Sequence, residues 1–214
     1  MKRVVALTLL GVLLFTSQSW FTVTLRAAWD KGFNFRLSGS YVTDAGDTTY
    51  VVGEVYPITR NSVTFGWDSD RTSDARNRST SVDVRLAGIN QVGSGTGVFT
   101  VDLPNTGTYK VRLAMGDVGN GQTSTIVIKD NTTTRLTIGP HAVAADWAYD
   151  AADVTYTHAA WPGSNSFSSN LTFASTAFKL ELSGTNGVIQ HLYISEITAA
   201  AGGTGRTLLG WIGR

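Results

Sequence analysis

Between Val98 and Asp117 apolar side chains fall on every second position. Phe99, Val101 and Leu103 alternate with Thr100 and Asp102; after Pro104-Asn105-Thr106-Gly107, Tyr109, Val111, Leu113 and Met115 alternate with Lys110, Arg112 and Ala114. A period of two sends successive side chains to opposite faces of a strand, whereas an amphipathic helix repeats its apolar positions every three to four residues. The segment therefore predicts two strands, each with one core face and one polar face, joined as a hairpin. Thr125 to Ile128 and Thr133 to Ile138, on either side of Lys129-Asp130-Asn131, predict a second hairpin. A third is expected where Phe178, Leu180 and Leu182 alternate with Lys179 and Glu181, turn through Ser183 to Gly187, and return from Val188 to Ile197. Further strands are expected at Tyr50 to Val55, Ser62 to Trp67, Val82 to Leu86 and Val154 to His158. Eight or more short strands with no amphipathic helix predict an all-β fold, a single antiparallel β-sandwich of jelly-roll type.

Composition narrows the function classes. The 214 residues are 42% hydrophobic and 10% aromatic, with 23 glycines, abundant threonine and only 15% charged residues, against roughly a quarter charged in an average domain. β-Branched and aromatic side chains suit a pleated, half-buried surface. Lys and Arg number 17 against 16 Asp and Glu, for a net charge of +1. No basic run exists, so nucleic acid is not an expected partner. Cysteine is absent, which removes disulfide scaffolds, thiol catalysis and the usual structural zinc sites. A chain of this length buries enough apolar surface to fold without such staples.

Four segments are expected. Met1-Lys2-Arg3 followed by the apolar run from Val4 to Phe15 reads as a secretory signal peptide over residues 1–19, or as an apolar N-terminal arm. The same run would anchor the chain in a membrane if it were retained, since 22 uncharged residues lie between Arg3 and Arg26. Residues 20–32 are a connector or first strand, and residues 33–198 the sandwich. Residues 199–214 are a flexible Ala-Gly connector and a short apolar tail from Arg206 to Arg214, which is too short to span a bilayer.

The order of motifs through the body carries a family likeness. Phe33-Asn34-Phe35 opens it; Phe65-Gly66-Trp67, Arg76-Asn77-Arg78 and Arg85-Leu86-Ala87-Gly88 follow. Then come Phe99-Thr100-Val101-Asp102-Leu103-Pro104, Gly107-Thr108-Tyr109-Lys110-Val111-Arg112-Leu113 and Gly116-Asp117. This resembles the galactose-binding-like or malectin-like carbohydrate-binding modules, β-sandwiches of the kind that precede bacterial acetylesterase domains and occur in some phage structural proteins. The resemblance spans about residues 33–198 and implies a sandwich that binds a polysaccharide or glycan.

Sugar recognition sets flat aromatic rings against the apolar face of a pyranose, with polar groups fixing the hydroxyls. The richest aromatic stretch in loop-like sequence holds Trp147, Tyr149, Tyr156, His158 and Trp161, which are the expected ligand-binding residues. Trp67, inside the family-like motif, is expected in the core. Asp68, Asp70 and Asp74 place three carboxylates within seven residues. Calcium takes several oxygen ligands, and the resemblance implies loops that hold a structural ion, so these three are the candidate metal ligands. Salt bridges to Arg71, Arg76 and Arg78 are the alternative, and no other cofactor is expected. His141, His158 and His191 show no metal spacing, and there is no Gly-x-Ser-x-Gly elbow or His-Glu-x-x-His. The chain is thus expected to be no enzyme but a secreted or cell-surface glycan-binding or adhesion module. The alternative is a structural assembly subunit, such as a phage virion or surface-filament component. That subunit would pack through the sandwich and form homo-oligomer contacts through its apolar termini.

Overall fold

The computed structural model of the protein describes residues 29–37, 47–78, 86–93, 95–117, 122–143, 147–149, 155–157 and 169–197, with backbone alone at 47–49, 142–143, 147–149 and 155–157. The strands are β1 (Asp30–Phe35), β2 (Asp47–Val51), β3 (Ile58–Arg60), β4 (Val63–Trp67), β5 (Ala75–Asn77), β6 (Gly88–Gln91), β7 (Thr96–Asp102) and β8 (Gly107–Ala114). They continue as β9 (Gln122–Asp130), β10 (Thr133–Val143), β11 (Trp147–Tyr149), β12 (Thr155–Thr157), β13 (Ser169–Phe173), β14 (Ala177–Ser183), β15 (Val188–Ile189) and β16 (His191–Glu196). A 3-10 turn spans Thr72–Asp74.

Two sheets make the sandwich. One has the strand order β13-β8-β16-β1-β2 and the other β10-β9-β14-β7-β4-β3. The strand pair β11-β12 and the small sheet β15-β6-β5 are hydrogen-bonded separately from them. Inward residues of both sheets form one core. Phe33 and Phe35 from β1 meet Phe65 and Trp67 from β4 and Phe99 from β7, with ring centroids 5.0–5.9 Å apart, mostly edge to face. All five rings are fully buried, so Trp67 is in the core as expected. Each such ring contributes about 1.5–3 kcal/mol by leaving water, and the edge-to-face contacts satisfy the ring quadrupoles. Tyr109 is also buried, donating its hydroxyl to the Asn105 carbonyl at 2.8 Å. The sandwich begins before Phe33: β1 starts at Asp30, and Trp29 packs on the core, 6.1 Å from the Tyr109 ring.

The alternating segments are strands, with the expected faces in β7 and β14, whereas in β8 the expected polar positions Arg112 and Ala114 are buried along with the apolar ones. Two of the three expected hairpins are not hairpins. β9 and β10 do pair, from Thr133 opposite Asp130 onward. Their Asn131-Thr132 turn places Asn131 at φ 54, the left-handed conformation that a tight hairpin turn favours. By contrast, β7 pairs with β14 and β4, and β8 with β13 and β16. The chain crosses between sheets at Pro104–Gly107. It crosses again after β14, because β16 lies between β8 and β1. The physical reason is that alternation specifies which face is core and says nothing about the partner. A strand folded over into the opposite sheet, about 10 Å away, shows the same pattern as one folded back beside its neighbour.

The antiparallel expectation also fails at one pair, since β1 and β2 run parallel, Phe33 opposite Thr49 and Phe35 opposite Val51. The strand expected from Tyr50 to Val55 stops at Val51, and Val55 forms only an isolated parallel bridge with Trp67. The expected strand at Val82 lies outside the described residues apart from Leu86, which is buried.

Candidate functional site

A groove of about 570 Å³ runs over the outer face of the six-stranded sheet, lined by Tyr56, Asp68, Thr100, Asp102, Asn131 and Lys179, with Trp67, Val98 and Ala177 beneath. Its size falls within the range of small-ligand sites. Alternation builds its floor. In β7 the odd residues Phe99 and Val101 go into the core, so Thr100 and Asp102 go outward. In β14, Phe178 and Leu180 go inward and Lys179 outward. Register then brings these residues side by side: Thr100 stands opposite Gly66 on one flank and Lys179 on the other, and Asp102 opposite Ala177. The small side chain of Ala177 leaves room beside Asp102.

Gly66 also explains how an aromatic ring reaches this face. Residues 54–56 run alongside the end of β4, with the Tyr56 amide donating to the Trp67 carbonyl and the Trp67 amide donating to the Glu54 carbonyl, both at 2.8 Å. This segment crosses so close to Gly66 that a Cβ there would lie 2.4 Å from the Tyr56 nitrogen and 2.6 Å from its Cα. Gly66 also has φ +148, in the region that favours glycine. The Glu54 carboxylate braces the approach by accepting from the amides of Val52 (2.9 Å) and Gly53 (3.2 Å) and from Arg60.

Tyr56 remains 38% exposed, and its hydroxyl donates to both oxygens of Asp102, at 3.1 and 3.3 Å. Partial burial and then the Asp102 carboxylate push the phenol up from its ordinary value. The ring is thereby tethered at its polar end while part of it faces solvent. Across the groove, the Lys179 ammonium donates to Asn131 Oδ1 at 3.3 Å.

Behind Asn131, Asp130 fixes the groove's end. It is 5% exposed and accepts from the amides of Ala174 (2.7 Å) and Ser175 (3.0 Å), from the Ser175 hydroxyl and from Arg135. Burial alone would push this carboxyl up, but the hydrogen bonds from Arg135, Ser175 and the two amides outweigh it and hold it well below the usual carboxylate range. The knot ties the β9–β10 turn to the segment that leads into β14.

Of the ligand-binding residues expected from sequence, three lie on described backbone and two outside the described residues. Trp147 and Tyr149 lie on β11 and Tyr156 on β12, with Trp147 opposite Thr157, Ala148 opposite Tyr156 and Tyr149 opposite Thr155. His158 and Trp161 lie outside the described residues. Of the three candidate metal ligands, Asp68 lines the groove and accepts from Arg71 at 3.5 Å. Asp70 accepts the Thr72 amide at 2.9 Å, and that backbone hydrogen bond lowers its carboxyl from the ordinary value. Asp74 sits in the 3-10 turn. Among the described residues no group of three His, Cys, Asp or Glu is placed to hold a metal ion, and no helix is long and apolar enough to cross a membrane. Sequence reasoning missed Tyr56, Asn131, Asp102 and Lys179 as a group. Its one available signal was an aromatic before a proline, in Val55-Tyr56-Pro57, between two strands.

Comparison with known proteins adds similarity without identity. No protein-family model matches the chain, and neither does any curated protein. Among solved structures, the chain is similar to the CBM36-1 domain of a multidomain xylanase from the hindgut metagenome of Trinervitermes trinervoides, at 13% identity and a TM-score of 0.32, covering 53% of this chain and 80% of that one. It is also similar to TmCBM61, solved in complex with beta-1,4-galactotriose, at 12% identity and a TM-score of 0.26, covering 68% of this chain and 88% of that one. The described residues form an all-β sandwich with an aromatic-lined polar groove on one outer face.

Proposed function

We propose that this protein is a non-catalytic glycan-binding module, and that the groove over β4, β7 and β14 seats the sugar. The observation that carries the reading is Tyr56, a partly exposed ring held by Asp102 at the rim of a groove whose other polar groups are Thr100, Asn131 and Lys179. An aromatic face takes up the apolar C–H side of a pyranose, and a carboxylate, an amide and an ammonium take up its hydroxyls. The order of motifs through residues 33–198, which resembles carbohydrate-binding modules, supports the same reading. Export of the mature module to the cell exterior or surface, directed by residues 1–19, and a role in adhesion belong to this proposal.

A glycan-array screen of the protein tests it, followed by titration of the best ligand against Tyr56→Ala and against a Trp147→Ala, Trp161→Ala double variant. Loss of a well-packed aromatic anchor costs about 2 kcal/mol or more, some thirtyfold in affinity. The expected result is that loss in Tyr56→Ala, with the melting temperature retained. Undiminished binding by Tyr56→Ala and loss in the double variant would move the site to the β11–β12 region. An array with no ligand for a folded protein would overturn the proposal.

A further inference from the structure

Resting on that reading, we infer that the groove selects uncharged polysaccharide over polyuronate, with Asp102 and Lys179 as the residues that set this choice. The two side chains are diagonal neighbours on one face: Asp102 stands opposite Ala177, and Lys179 two residues along β14, opposite Thr100. Diagonal neighbours lie about 7–8 Å apart, within reach of a long side chain. Yet no salt bridge joins them. Each is turned to another partner, Asp102 to the Tyr56 hydroxyl and Lys179 to Asn131 Oδ1.

The groove thus presents an acceptor-only carboxylate and a donor-only ammonium on opposite sides of Thr100 and Ala177. A ligand that spans them must donate at one end and accept at the other. Hydroxyl groups do both, so adjacent hydroxyls of one sugar, or of successive sugars, satisfy the pair without any charge on the ligand. A uronate carboxylate would satisfy Lys179 but would bring a second negative charge beside Asp102, whose carboxylate has no cationic partner among the ion pairs of the described residues. Asp68 is paired with Arg71, which offsets its charge, so the repulsion comes from Asp102. Like charges at such range disfavour each other. The Asp102 carboxylate therefore works against anionic chains and for neutral ones.

The test uses matched oligosaccharides that differ only at C6: galactopentaose against galacturonopentaose, and mannopentaose against mannuronopentaose, titrated calorimetrically into the full chain at low and high salt. The neutral member of the pair that binds is expected to bind at least tenfold more tightly, with an affinity that changes less than about twofold with salt. Asp102→Asn, which keeps an acceptor for the Tyr56 hydroxyl, and Lys179→Met are each expected to weaken the neutral ligand about tenfold, the loss of one hydrogen bond to a charged group. Asp102→Asn is also expected to narrow the gap between the two members. A uronate that binds as tightly as its neutral partner, or a neutral ligand indifferent to Lys179→Met, overturns this inference while leaving the glycan-binding reading in place. If neither member of any pair binds and the array finds no other glycan, the reading itself fails. The wild-type comparison holds whether or not the variants fold.

Discussion

Gly66→Ala tests the link between the backbone of β4 and the groove. An added Cβ would lie 2.4 Å from the Tyr56 nitrogen, 2.6 Å from its Cα and 2.8 Å from the Val55 carbonyl carbon. All three are backbone atoms, so no side-chain rotation relieves the clash. Residues 54–56 must move away from β4, breaking the 2.8 Å hydrogen bonds that Tyr56 and Trp67 make there. Overpacking of this kind costs about 1–3 kcal/mol, and a non-glycine residue at a φ of +148 adds about 1–2 kcal/mol more. The sum, about 2–5 kcal/mol, is a large part of a domain's typical 5–15 kcal/mol. For a chain of this size it lowers the melting temperature by roughly 4–20 °C. Gly93→Ala is the control, because a Cβ at Gly93 meets nothing within 4 Å; its effect is expected within about 0.5 kcal/mol. Thermal unfolding followed by circular dichroism measures both variants. Glycan titration below the lower melting point separates displacement of Tyr56 from unfolding. The expected outcome is a destabilised Gly66→Ala that has lost ligand affinity beside an unchanged Gly93→Ala. A Gly66→Ala that melts with the wild type would refute the reasoning, since it would mean that the Tyr56 segment does not depend on this close approach.

Three further outcomes are expected. Asp130→Asn removes a buried charge that accepts from two amides, a hydroxyl and Arg135, and should cost about 3 kcal/mol at neutral pH. Because the folded carboxyl titrates below its unfolded value of about 3.9, its stabilisation is present above pH 4 and disappears as the pH falls below that. Wild type and variant should therefore converge in acid urea melts, and a gap that stays constant down to pH 2 would count against the assignment. Chelation is expected to leave the melting temperature unchanged, since the hydrogen bonds of Asp68 and Asp70 run to Arg71 and Thr72. A drop on adding EDTA, reversed by calcium, would restore the Asp68, Asp70 and Asp74 loop as a metal site. The intact mass of protein recovered from the exterior of an expressing cell is expected to lack residues 1–19, and retention of Met1 would argue for the apolar-arm reading of that segment.

The sequence by itself determined which way side chains face in the strands that alternate cleanly. Alternation at Phe99, Val101, Phe178, Leu180 and Leu182 placed those side chains in the core and sent Thr100, Asp102, Lys179 and Glu181 outward, as the structure has them. It did so because side-chain direction in a strand is a local property with a period of two. Which outward residues become neighbours is not local. Register between β7 and β14 brings Lys179 beside Thr100, and the crossing of residues 54–56 over Gly66 brings Tyr56 to Asp102, 46 residues away. The expected hairpins at Pro104 and Ser183 failed for the same reason, since a turn that returns within one sheet and a turn that crosses to the other leave the same alternation. The groove is a product of pairing between distant strands. Only the tertiary structure, which fixes that pairing by packing the five aromatic rings between the two sheets, decided where it lies.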